Sequence, residues 1–243
     1  MSLSLVRSTY ERLGRDDPFY AVLSRKNLRH NRWDTAEFFS TGRRHIDSVF
    51  RCLDESGIEV RRGQAMDFGC GVGRLTQALA EYCHEVVGVD IAESMCERAR
   101  ELNRHGDRVR YVTNAAGDLA VFADESFDFI YSFITLQHIP PEVATRYVGE
   151  FVRLLRPGGV AVFQAPDGRA MQPGSFRAAC YALWRCRLRP LLKTLRGLPA
   201  VQIHYLPRPD VERAVAAAGG RMLEVTCLKR HWRHPNLRYL VAK

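Results

Sequence analysis

A chain of 243 residues with 46% hydrophobic and 26% charged residues is long enough for one decorated globular domain, and no apolar run approaches the roughly 18 residues that a membrane span needs. The apolar patch Leu3, Leu5, Val6 is broken by Arg7 and is too short for a secretory leader, so a cytoplasmic protein is expected. The net charge of +9 lies wholly in the last third: residues 169–243 hold 15 Lys and Arg against three acids, a balance that suits an anionic substrate, an acidic membrane surface, nucleic acid, or only a solvated face.

In chain order, residues 1–60 set Trp33, Phe38, Phe39, Ile46, Val49, Phe50 and Leu53 near three or four apart, which predicts amphipathic helices packed on the core as a cap or lid. From Ala65 the pattern alternates. Strands are predicted at Ala65–Gly69, Glu85–Asp90, Val109–Asn114, Asp128–Phe133 and Gly159–Gln164, with helices at Arg74–Tyr82, Ser94–Asn103 and Pro141–Leu155. Pro141 and the run Pro157-Gly158-Gly159 bracket the last of these helices. A helix at Pro209–Ala218, closed by Gly219-Gly220, precedes two strands at Met222–Lys229 and Leu237–Val241 that are close enough to pair antiparallel. Strands spaced by helices imply an α/β domain: a mostly parallel seven-stranded sheet ending in an antiparallel hairpin, helices on both faces. A single domain is expected, divided into a helical cap (1–60), a ligand-binding core (61–168) and a basic addition with the C-terminal part (169–243).

The run from Met66 to Arg74 carries the most chemistry: an apolar strand ends in Asp67, followed by glycines at 69, 71 and 73. Glycine permits positive φ and lets a ligand lie on bare backbone, and the next helix offers free N–H groups to an anionic moiety, so a nucleotide-like ligand is implied. A dinucleotide fingerprint needs a further glycine where Arg74 and Thr76 stand, which weakens an NAD reading. Seven scattered cysteines include no C-x-x-C pair and read as reduced thiols, and no metal site is expected. Ser132 lies in an apolar strand without the glycines of a nucleophile elbow, so hydrolase chemistry is unsupported.

The string Asp67-x-Gly69-x-Gly71-x-Gly73 resembles the first motif of class I S-adenosylmethionine-dependent methyltransferases, whose fold is Rossmann-like. Asp90 ends the next strand, where that family places an acid on the ribose hydroxyls, a diol to which a carboxylate is suited. Ser126–Ser132 resembles the family's fourth strand, Leu136-Gln137-His138-Ile139 the loop after it, and Arg153–Gly159 the approach to the fifth. The resemblance covers residues 65–165. It implies S-adenosylmethionine as cofactor, held by Asp67, Gly69, Cys70, Gly71, Gly73, Asp90 and Ile91, with Asn114, Ala115 and Phe133 around the nucleoside and Trp33 and Phe38 closing over it. The family's usual acid near the end of strand three is missing, and Asn114 or Asp118 is left for the adenine amine.

Methyl transfer from a sulfonium needs alignment and exclusion of water more than a covalent intermediate. His138, at the carboxyl edge of the sheet, is the candidate base for a hydroxyl acceptor, with His30, His45 and His204 behind it. The acceptor is expected to be a small molecule, methylated on oxygen or nitrogen and either anionic or amphiphilic. The arginine- and leucine-rich stretch Phe176–Arg189 suggests peripheral membrane contact. No RNA- or DNA-binding module accompanies the core, so nucleic acid is disfavoured. The rival readings are an RNA or protein methyltransferase using the basic third, a cofactor-fold protein without turnover, and an NAD oxidoreductase of similar topology.

Overall fold

The computed structural model describes residues 2–167, 201–228 and 235–243. The basic stretch Phe176–Arg189 lies outside them. Strands β1 (Gln64–Phe68), β2 (Glu85–Asp90), β3 (Val109–Thr113), β4 (Phe127–Ser132), β5 (Leu155–Pro166), β6 (Arg221–Leu228) and β7 (Asn236–Ala242) form one sheet in the order β3-β2-β1-β4-β5-β7-β6. The first five strands are parallel, and β7 runs antiparallel between β5 and β6. Predicted strands and the antiparallel end are therefore present. The strand expected at 159–164 begins earlier, at Leu155, because the chain pairs with β4 directly after the preceding helix and its register shifts between Phe127 and Phe129.

Side-chain alternation along the strands divides the core. On one face Phe68, Val89, Ile130, Ala161, Phe163, Tyr239 and Val241 meet α6 (Pro141–Leu154) and α7 (Arg208–Ala217) through Val148, Phe151, Val152, Val211 and Val215. On the other, Ala65, Val86, Phe129, Tyr131, Val160, Val162 and Leu240 meet α3 (Thr35–Glu55) and α4 (Arg74–Leu79). Both faces of β4 are covered, so every residue in it is buried, including Asp128, whose carboxylate is paired with Arg156 at 2.7 Å.

The first sixty residues divide between two tasks. The apolar stripe Ile46, Val49, Phe50 and Leu53 of α3 belongs to the sheet core. Helix α1 (Leu3–Asp16), α2 (Pro18–Val22) and the first turn of α3 instead build a separate apolar cluster of Phe19, Trp33, Phe38 and Phe39 with Val72, Ala92 and Met95. The Glu11 carboxylate fastens α1 down by accepting from the Glu93 and Ser94 N–H groups, 2.7 and 3.2 Å away, at the start of α5 (Glu93–Glu101). After β1 the chain proceeds through β2 and β3 on one side, then crosses to β4 on the other. That reversal opens a crevice at the carboxyl ends of β1 and β4. Among the described residues no helix is long and apolar enough to cross a membrane.

Candidate active site

The turn after β1 is built from glycine conformations. Gly69, Gly71 and Gly73 all have positive φ, at 82°, 52° and 83°. The Gly69 and Cys70 N–H groups donate to the Val89 carbonyl at 2.7 and 3.0 Å, which ties the turn to β2. Gly71 is constrained twice, since a Cβ there would collide with Val22 of the cap in addition to the cost of its φ. Its N–H donates to Asp90 Oδ2 at 2.9 Å, and the Ala92 N–H donates to Oδ1 at 3.0 Å. Two backbone donors thus fix the Asp90 carboxylate and leave further lone pairs for a ligand. Burial pushes the Asp90 pKa up, opposed by those two hydrogen bonds.

Asp67 is 2% exposed and accepts from the Thr76 hydroxyl at 2.6 Å. Burial pushes its pKa up to about 6, against the pull of Thr76 and the Arg74 guanidinium. Arg74, at the start of α4, is itself buried; its Nη1 donates to Thr41 Oγ1 at 3.3 Å, and its Nε has no partner among the described residues.

These groups line a cleft of about 1030 Å³, open to solvent. Of the residues picked out from sequence, Asp67, Gly69, Cys70, Gly71, Asp90, Ile91, Asn114, Phe133 and His138 are in its wall. Four are not. Gly73 is the N-cap of α4, and its missing Cβ makes room for the Tyr111 hydroxyl. Ala115 is exposed on the loop after β3. Trp33 and Phe38 are 5% and 0% exposed inside the cap, where Trp33 Nε1 donates to the Leu23 carbonyl and Phe38 packs on Phe19. The expected aromatic lid is corrected accordingly: these rings support the cap, and the residues over the cleft are Leu3, Val6, Tyr10, Ala21, Val22 and Leu23. The spacing of Leu3, Val6 and Tyr10 was a helical signal in its own right. Asn114 is partly committed, donating to the Asp118 carbonyl at 2.6 Å while its Oδ1 accepts from the Ala116 N–H at 3.3 Å.

His138 Nδ1 donates to the Gln202 carbonyl at 3.0 Å, so Nε2 is the basic nitrogen and accepts from the Gln137 amide at 3.1 Å. Burial lowers its pKa and favours the neutral ring. Tyr10 lies beside it, with ring centroids 5.8 Å apart. The other three candidate histidines stand outside the cleft wall. His45 Nε2 is 2.6 Å from the Tyr131 hydroxyl, His30 is exposed, and His204 is held through its N–H on the Gln137 carbonyl. Ser132 donates to the Phe68 carbonyl at 3.0 Å, a strand-bridging role.

Residues 66–163 match the Methyltransferase domain family. The chain is 30% identical over 141 residues to a ubiquinone biosynthesis O-methyltransferase of Aromatoleum aromaticum, spanning 56% of this chain and 57% of that one. It is 31% identical over 112 residues to thiocyanate methyltransferase 1 of Brassica oleracea, spanning 46% of this chain and 49% of the relative. The chain thus spans about half the length of these curated relatives. The fold as a whole is similar to magnesium protoporphyrin IX methyltransferase from Synechocystis, solved with bound S-adenosylhomocysteine, at TM-score 0.63, 18% identity and full coverage of both chains.

The methyltransferase family uses S-adenosylmethionine, and the cleft fits that molecule. Asp90 offers free carboxylate lone pairs to a diol, the glycine turn presents bare backbone, and the unpaired Arg74 Nε–H is a buried donor suited to a carboxylate.

Proposed function

We propose that this protein transfers the methyl group of S-adenosylmethionine to an oxygen or nitrogen of a small-molecule acceptor. The observation that carries the reading is the glycine turn locked to Asp90 by the Gly71 N–H, in the wall of a cleft at the sheet's switch point. When bound there, the cofactor supplies a sulfonium methyl already activated for displacement. Asp90 would hold the ribose hydroxyls, Gly69 to Gly71 and Asp67 the methionine part, and Ile91 and Asn114 the adenine. With the cofactor seated, the cap residues Leu3, Val6, Tyr10 and Val22 would shield the reacting groups from water and restrict them, which is the main service the protein gives to this reaction.

For a hydroxyl acceptor, His138 Nε2 would take the proton as the new bond forms, on the lone pair that the Gln137 amide gives up when the acceptor enters. The bond from Nδ1 to Gln202 orients the ring and selects the tautomer with a basic Nε2, and burial keeps it neutral near pH 7. Relatives named for ubiquinone biosynthesis and for thiocyanate favour a small acceptor over RNA or protein. Calorimetry with S-adenosylhomocysteine against NAD tests the cofactor reading, and binding of NAD alone would overturn it. Incubation of cell extract with the enzyme and methyl-labelled cofactor tests the acceptor class. Label recovered with RNA or protein, instead of the low-molecular-mass fraction, would refute that part.

A further inference from the structure

A second, smaller chamber of about 390 Å³, also open to solvent, adjoins the cofactor cleft, with Phe133 in the wall of both. It lies on the α3 face of the sheet, where Val160, Val162 and Leu240 give an apolar surface that turns polar toward the carboxyl end of β5. There Gln164 sits directly opposite Arg238 in the β5–β7 ladder, and Thr226 sits opposite Arg238 on the other side. Gln164 is 3% exposed, yet among the described residues its Oε1 has no hydrogen-bond partner, and neither has the buried Arg238 Nε. One terminal nitrogen of Arg238, Nη2, is already used: it donates to Cys52 Sγ at 3.0 Å and is 4.0 Å from the Glu224 carboxylate. Buried polar atoms of a fold are normally paired, so an unpaired amide oxygen and a spare guanidinium N–H beside one chamber point to a ligand that pairs them. The remaining walls are rings: His45, Tyr131 and Phe133, with the His45 and Phe133 centroids 4.3 Å apart.

We infer that this chamber is the acceptor site and that it selects a planar aromatic acid bearing a hydroxyl group. The carboxylate would meet the Arg238 Nε–H and a hydroxyl would donate to Gln164 Oε1, while the ring lies among His45, Tyr131 and Phe133 and the atom to be methylated is on the Phe133 side, toward the cofactor cleft and His138. This inference rests on the cofactor reading above, since it places the acceptor beside that cleft.

The test uses the full chain saturated with S-adenosylhomocysteine and three probes, 4-hydroxybenzoate, benzoate and the neutral 4-hydroxybenzamide, with affinities read by calorimetry or ligand-observed NMR. The expected result is that 4-hydroxybenzoate binds at least about tenfold more tightly than 4-hydroxybenzamide, as befits a charge-assisted contact. Arg238→Gln should abolish that preference, and Gln164→Leu should abolish the preference for 4-hydroxybenzoate over benzoate. Both variants should bind S-adenosylhomocysteine as the unaltered protein does, which also shows that they fold. Equal binding of the acid and the amide, no binding of any probe, or preferences that persist in the variants would overturn the inference while leaving the cofactor reading standing. Failure of the unaltered protein to bind S-adenosylhomocysteine would overturn both.

Discussion

Replacing Asp90 by alanine probes the cofactor cradle most directly. The substitution removes the acceptor of the Gly71 and Ala92 N–H groups, 2.9 and 3.0 Å away, and also the carboxylate expected to hold two ribose hydroxyls. Hydrogen bonds to a charged group contribute roughly 1.5–3 kcal/mol each, so losing two should weaken S-adenosylhomocysteine by at least about a hundredfold. Stability should respond much less. The two freed N–H groups border an open cleft where water can reach them, and the variant no longer buries a carboxylate whose charged form is disfavoured. Calorimetry of the purified variant at matched pH, beside a urea titration, separates the effects. Affinity within about threefold of the unaltered protein, a difference of under 1 kcal/mol, would show that Asp90 does not face the ribose and would remove the main support for the cofactor reading.

Asp67 should give stability an inverse pH dependence. Its folded pKa of about 6 lies above the ordinary 3.8, so the folded state binds the proton more tightly and stability falls as pH rises from about 4 to 6, by on the order of 3 kcal/mol. Subtracting Asp67→Asn urea data from those of the unaltered protein should reveal that slope, and a flat difference would contradict the burial argument. His45 works in the opposite sense: burial and Arg74 push it down to about 4, so its contribution grows as pH rises from 4 to 6.5, and His45→Gln should remove it. Phe38→Ala, at a site 0% exposed between Phe19 and Trp33, should cost about 3–5 kcal/mol and change cofactor affinity less than about threefold. Lost affinity with unchanged stability would restore the lid role. Once an acceptor hydroxyl is known, His138→Gln should lower kcat by about 10²–10⁴ without altering cofactor binding, and equal loss of both would make it a positioning residue.

Much of the domain could be read from local chemistry. Apolar runs such as Val86–Val89 and the glycines at 69, 71 and 73 carry information within a few residues of themselves, because strand alternation and positive φ are properties of short segments. The same holds for Asp90, whose distance from the glycine turn marks the end of the second strand. Roles that depend on which side of an element faces what were not legible in this way. Trp33 and Phe38 show a helical apolar stripe, and such a stripe is the same whether it covers a ligand or fills a cap core. Only packing against Phe19 and Leu23 decided between them. The wall made by Leu3, Val6, Tyr10 and Val22 depends on α1 being fastened to α5 through Glu11, a contact between residues some eighty positions apart. Likewise Gln164 and Arg238 are ordinary polar residues in the linear chain, and come face to face, each with one buried atom unpaired among the described residues, only because an antiparallel strand inserts beside β5. Chain-local patterns determined the domain class and the cofactor turn. The cleft's cover and the neighbouring chamber were decided by tertiary structure, since burial and pairing are properties of surfaces brought together by folding.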